Sequence, residues 1–395
     1  VPPPSFPGVF LEEPAGVHSI PQVPTSITAF IGRARRGQVE SPVAINSFAD
    51  FERGFGRLWK ESALGFAVRD FFLNGGHEAL IVRLRRSDGG VLRKSDFIGA
   101  GKERAGKGLY ALNKTDLFNL LCIPGYKETG PGLDVDKEVI SSAARYCETR
   151  RAILLVDSPA SWQTKADAKS GIALGVGTTS SNAALFFPRL RQPNSEWNNQ
   201  KEDFGPGGAV AGVFARTDTE RGIWKAPAGL EARLIGVAEL SVALTDAENG
   251  ELNSLAVNCL RNVPVAGKVV WGARTLAGSD QAASEWKYIP VRRTALFIED
   301  SLYRGTKWIV FEPNGEPLWA QIRLNVGAFM NALFRSGAFH GQTPKQAYFV
   351  KCDAETTTQN DVNLGVVNII VGFAPLKPAE FLVIKIQQMA GQIDT

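Results

Sequence analysis

The chain has 395 residues, 44% of them apolar and 21% charged, with 44 Lys and Arg against 40 Asp and Glu. That length supports two or three domains with a sizeable core. The net charge of +4, with basic runs no longer than "RARRG" and "RLRRS", argues against a nucleic-acid surface.

The chain opens on an arm. Prolines crowd residues 1–24 and preclude a helix there. Within the arm, Val9, Phe10, Leu11 and Glu12 belong to a short strand, "GVFLEE", with no neighbour in sequence to pair with. From Thr25 to about residue 275 strands and helices alternate. "SITAFIGRA", "HEALIVRL", "LFNLLCIPG" and "RAILLVDSP" read as strands. "SFADFERGFG", with Ser47 as N-cap, "SALGFAVRDFFLNGG", ended by Gly75, and "DKEVISSAARYCETR" read as helices. Apolar strands without alternation, separated by helices, predict an α/β region whose sheet is covered on both faces.

Residues 276–395 have another rhythm, α+β rather than α/β. "RRTALFIEDSLYRG" predicts a helix and "TKWIVFE" a strand. Pro317 suits a first helical turn. Leu318, Ile322, Val326, Phe329 and Leu333 then form one apolar stripe, and Gly337 stops it. "GVVNIIVGFA", the turn "PLKP" and "AEFLVIKIQQM" predict a terminal hairpin, whose second strand carries Phe381, Leu382, Val383, Ile384, Lys385 and Ile386. The organisation expected is an arm (1–24), an outer α/β domain (25–275) and a C-terminal domain (276–395).

Chemistry-bearing patterns are few. No apolar run reaches the length of a membrane helix, and the chain does not open on a secretory signal. Cys122, Cys147, Cys259 and Cys352 have no CxxC or zinc spacing, and scattered thiols fit small buried groups in a reducing compartment. "GKERAGKG" (Gly101 to Gly108) approaches a phosphate loop but ends in Gly where Ser or Thr must hold magnesium, and no strand and helix frame it. A basic surface loop is the better reading, and no cofactor or metal is expected. There is no G-x-S-x-G elbow, and a triad would have to draw on His18, His77 or His340. A cysteine–histidine dyad stays open. "VWGARTL" and "WIVFEPNGEPLWA" are aromatic phrases that fit a core better than a ligand pocket. "KCDAETTTQND" (Lys351 to Asp361) gathers a thiol, carboxylates and threonines, and reads either as a site or as a loop whose side chains bond their own backbone.

Taken in order, "PGVFLEE", "TAFIG", "LFNLLCIPG", "AGVFARTDTERGIWKAPAG", "LNSLAVNCLRNVP", "VWGARTL", "FEPNGEPLWAQIR", "TPKQAYFVKCD", "TTTQNDVNLG" and "KPAEFLVIKI" resemble the contractile tail sheath proteins of phages and of extracellular injection systems. The resemblance runs along most of the chain and is closest to the shorter sheaths. It implies a non-enzymatic subunit that stacks as six-fold rings or a six-start helix around an inner tube, and contracts. It also implies partners: other copies of itself, the inner tube protein, and baseplate and tail-terminator proteins, with no nucleic acid and no membrane insertion. Assembly in the bacterial cytoplasm into a virion tail or an injection particle follows. Neighbours would be linked by strand exchange between Val9–Glu12 of one copy and Phe381–Ile386 of another. The C-terminal domain would face the tube, with Lys307, Arg323, Arg335 and Lys345 as candidate contacts. A soluble α/β enzyme, or another virion or tail structural protein, is the alternative.

Overall fold

A computed structural model describes residues 18–126, 134–196 and 198–380. Six strands come first: β1 (Thr28–Gly32), β2 (Val43–Ile45), β3 (Ala79–Arg83), β4 (Leu120–Cys122), β5 (Ile153–Asp157) and β6 (Ala183–Phe187). They are followed by β7 (Leu190–Asn194), β8 (Gln200–Phe204), β9 (Glu239–Leu240), β10 (Val257–Val263) and β11 (Gly267–Val270). An eight-stranded sheet runs in the order β11-β10-β6-β5-β4-β1-β3-β2. From β10 to β3 every pair is parallel, while β11 and β2 close the two edges antiparallel.

Each strand feeds two cores. Ala29, Ile31, Leu121, Leu154, Val156 and Leu185 point to one face, against Val139, Ala143 and Cys147 of the helix Lys137–Arg150. Phe30, Ile81, Leu120, Ile153, Leu155 and Phe186 point to the other, against the helices Phe48–Phe55, Leu64–Leu73 and Gly207–Arg221. With helices on both faces, strand residues of either parity are apolar, which is the α/β pattern that the sequence predicts. Ser47 caps its helix by accepting from the Asp50 N–H, as expected.

The small antiparallel sheet β8-β7-β9 is not foreseen in the sequence reading. Its β7–β8 turn has both Asn198 and Asn199 at positive φ, which is the Asn-rich hairpin signal.

A third core holds the C-terminal part together. Leu318, Ile322, Val326, Phe329 and Leu333 of the helix Glu316–Arg335 pack with Phe297 and Ile298 of the helix Ile289–Gly305. Ile20 and Val23, from the end of the expected arm, join the same core. The strand expected at "TKWIVFE" is corrected to a short 3-10 turn, Lys307–Ile309, followed by Phe311 at φ 76. The cause is local. Val310 and Phe311 are 63% and 102% exposed, and Pro313–Gly315 reverse the chain into the next helix, so no strand partner is reached. "GKERAGKG" forms one helical turn, Lys102–Ala105, between the left-handed residues Gly101 and Gly106, and is preceded by the short helix Lys94–Phe97.

Candidate inter-subunit surface

Past the third core the chain makes a two-stranded antiparallel ribbon, β12 (Tyr348–Lys351) with β13 (Ile370–Phe373). Two strands alone are marginal in water. Tyr348, Val350, Val371 and Phe373 rest on the third core, while Phe349 and Ile370 stay about half exposed. Phe349 lies across Gly372, where a Cβ would come within 2.3 Å of its ring. Both outer edges of the ribbon lack a further strand among the described residues.

"KCDAETTTQND" links these strands, and its chemistry is structural. Cys352 is buried, which pushes its thiol up to about 11 despite the nearby Arg323 charge. Asp353 Oδ1 accepts from the N–H groups of Glu355 and Thr356, at 3.0 and 3.1 Å. Thr358 caps the helix Gln359–Asn363, exchanging hydrogen bonds with Asp361 in a capping box. The Thr358 bonds hold the Asp361 carboxyl below its ordinary value. Thr357 Oγ1 accepts from Asn368 N–H at 3.0 Å, tying the loop to the approach to β13. The loop therefore orients the ribbon, and all four cysteines of the chain are buried free thiols.

Of the hairpin expected of residues 365–389, the first strand is present as β13, while the expected second strand runs past Glu380, outside the described residues. Among the described residues β13 pairs with the upstream β12, because Tyr348–Lys351 presents the matching apolar face to the same helix. After Phe373 the chain bridges Pro375 to Phe339 and runs on to Glu380. Val9, Phe10, Leu11 and Glu12 lie outside the described residues, as do Phe381, Leu382, Val383, Ile384, Lys385 and Ile386.

The described chain is fastened near both of its ends by a buried arginine. At the N-terminal end, Arg293 makes two bonds to Asp218, at 2.8 and 2.6 Å, and donates to Thr25 O at 3.0 Å. Thr25 Oγ1 donates to the same carboxylate at 2.7 Å, and the two charged side chains are only 2% and 4% exposed. At the other end, Arg274 donates through Nε and Nη2 to Glu380, at 2.8 and 2.6 Å, and through Nη1 to Asp280 at 2.9 Å. Tyr288 and Asn253 also donate to Glu380. Burial alone would raise the Glu380 carboxyl, but the Arg274 bonds and charge outweigh it and hold it low. Asn258 fixes Arg274 by bonding its backbone N–H and carbonyl, both at 2.7 Å. Sequence reading missed all four partners. The one signal was an arginine inside the apolar phrase "VWGARTL".

The four cations expected to meet the tube are placed unequally. Lys307, Arg335 and Lys345 are exposed. Arg323 is half-buried and already engaged, donating to Cys352 O and, at 2.6 Å, to Glu316. Among the described residues no cluster of His, Cys, Asp and Glu is arranged to hold a metal ion, and no helix is long and apolar enough to cross a membrane.

Comparison with known proteins agrees with this architecture. Residues 99–276 match the model of the phage tail sheath protein central domain, and residues 281–389 that of the phage tail sheath C-terminal domain. A putative prophage major tail sheath protein of Pseudomonas aeruginosa (strain UCBPP-PA14) is 25% identical over 257 residues, 63% of this chain and 61% of that protein. The tail sheath protein of Vibrio phage KVP40 is 26% identical over 174 residues, 43% of this chain and 25% of that protein. The matched region thus spans about three-fifths or less of these relatives' own length. Among solved structures, the sheath complex of an extracellular contractile injection system in the contracted state superposes with a TM-score of 0.76 at 27% identity, over 98% of each chain. The contracted helical sheath of the anti-feeding prophage gives 0.74 at 28%, over 98% of this chain and 99% of that one. With both sheath domain models matched in order and a superposition covering 98% of the chain, the chain belongs to the contractile tail sheath family.

Proposed function

We propose that the chain is a structural sheath subunit: copies polymerise around an inner tube, and the polymer shortens to drive that tube through a target envelope. One observation carries this reading, the match over 98% of this chain to 98% of a contracted sheath chain. The family is structural, and we assign the chain no catalytic step. The energy for shortening is a difference between two packings of the same subunits. A few kcal/mol per copy suffices when summed over many copies.

Residues 1–24 act as the linking arm, 25–275 as the outer domain and 276–395 as the tube-facing domain. Val9–Glu12 of one copy add as a strand beside the ribbon β12–β13 and the segment Phe381–Ile386 of another. The open edges of that ribbon, with Phe349 and Ile370 exposed beside them, support this reading. Main-chain bonds give such strand addition its affinity and alternate side chains give it register. A contact that repeats head-to-tail without closing generates a helical polymer. The tube protein, baseplate and terminator proteins are the remaining partners, and the bacterial cytoplasm is the assembly site.

Deleting residues 1–16 tests the linkage. Negative-stain microscopy of the full chain should show hollow cylinders. The deletion should leave a folded monomer with an unchanged circular-dichroism spectrum and no cylinders. Intact cylinders from the deletion would sink the strand-exchange assignment.

A further inference from the structure

The sheath reading leaves two sequence features unused, the tryptophan of "VWGARTL" and the proline-rich start of the chain. Trp271 and Trp224 line one open groove of about 610 Å³, together with Ala226, Ala228, Asn249 and Pro378. One wall is the segment Leu376–Glu380, held by Arg274. Trp224 lies over Gly222, where a Cβ would come within 2.4 Å of the indole, so its ring position is constrained.

Three of the four charged side chains around the groove are already engaged; the fourth, Lys377, is exposed on the wall segment. Arg221 is paired with Glu231 at 2.7 Å, Lys225 Nζ donates to Ala226 O at 2.9 Å, and Glu380 is held by Arg274. Burial lowers the Lys225 pKa as well. Apart from Lys377, the polar capacity left over is neutral. Neither indole N–H has a hydrogen-bond partner among the described residues, and Asn249 Oδ1 is buried without one.

Val1–Pro7, "VPPPSFP", complements such a surface. It has no charged side chain, and four of its seven residues are proline. Proline has no N–H but keeps an exposed carbonyl, and its fixed φ leaves little entropy to lose on binding. Aromatic-lined grooves dock such segments. We propose that the Trp224–Trp271 groove of one copy takes Val1–Pro7 of a second copy. The proposal rests on the strand-exchange reading above. The groove begins at Leu376, just past the end of β13 at Phe373. An arm whose Val9–Glu12 lay beside the ribbon and ran back toward Leu376 would bring the preceding segment, about 22 Å long as an extended proline helix, to its mouth.

The test pairs Ser5→Cys with Ala226→Cys, since the native cysteines are buried and do not compete. Mild oxidation of assembled cylinders should give a ladder of covalently linked copies on a non-reducing gel, and neither single variant should. Cylinders without the ladder, or a disulfide within one chain, overturn the proposal. Absence of cylinders from the unaltered chain is instead a failure of the strand-exchange reading. The groove is then tested by titrating the peptide VPPPSFP into the full-length protein. Two of the eight tryptophan indole N–H signals should shift in the NMR spectrum. Trp271→Ala should weaken binding roughly tenfold. No shift at millimolar peptide overturns the proposal.

Discussion

Asp157 ends β5 with a buried carboxyl whose pKa burial raises to about 6. Arg189 and the Gly207 N–H, which donates at 2.7 Å, pull the other way, and Asp134 adds to the rise. The folded-state value thus lies above the unfolded one, so the native state holds this proton more tightly. Its stability contribution is fully present below the ordinary carboxylate range and is lost as pH rises through about 6. Asp157→Asn keeps an acceptor for Gly207 and removes the titration. Urea melts should show the variant gaining about 1–3 kcal/mol on the native chain between about pH 4 and 7. A constant difference across that range would refute the assignment. At the Arg293–Asp218 pair, removing one partner leaves a charge buried. Asp218→Asn should cost about 3–5 kcal/mol in the same assay, and replacing both by apolar residues much less. Neither the pair nor Arg274–Glu380 was legible in the sequence. The partners stand 75 and 106 residues apart, and nothing local distinguishes them from surface charges.

Among the elements, those whose burial pattern is set by one neighbour were legible. The stripe Leu318–Leu333 faces one core, and its spacing alone identified the helix Glu316–Arg335. Leu333 is fully buried there, so Leu333→Ala should lower stability by about 2–5 kcal/mol without altering the ribbon, as read by denaturation and near-UV dichroism. "TKWIVFE" misled for the converse reason. Its β-branched and aromatic residues have strand propensity, but propensity in sheets depends on a partner, and the tight return into the next helix supplies none. β13 was legible within "GVVNIIVGFA", but its pairing with β12 was not. It joins segments across the "TTTQND" loop, whose own bonds to Asp353, Asp361 and Asn368 set the geometry.

For the molecule as a whole, the sequence pattern indicated a sheet covered on both faces and a separate helical core. On how copies meet it offered a strand without a local partner, Val9–Glu12, and the expectation of strand exchange that the resemblance implies. Lys307, Arg335 and Lys345 are the exposed cations of the expected tube-facing set. Reversing these three to Glu should weaken co-sedimentation with the tube protein most at low salt, because exposed pairs are screened. Unchanged binding at all ionic strengths would remove them from the interface. Arg323→Glu should act differently, lowering stability, because its guanidinium already serves Cys352 O and Glu316.

The two buried arginine joints have a mechanical meaning. Tension transmitted along the chain from before Ile20 or after Glu380 meets a multidentate arginine–carboxylate clamp at or within a few residues of the folded body's edge, not a frayed strand end. Such clamps resist shear through several parallel bonds at once. In the proposed sheath, displacement of a neighbouring copy would load these clamps before it loads the eight-stranded sheet. A subunit of that sheath loaded at these two points would turn with its sheet and its clamps moving as one piece.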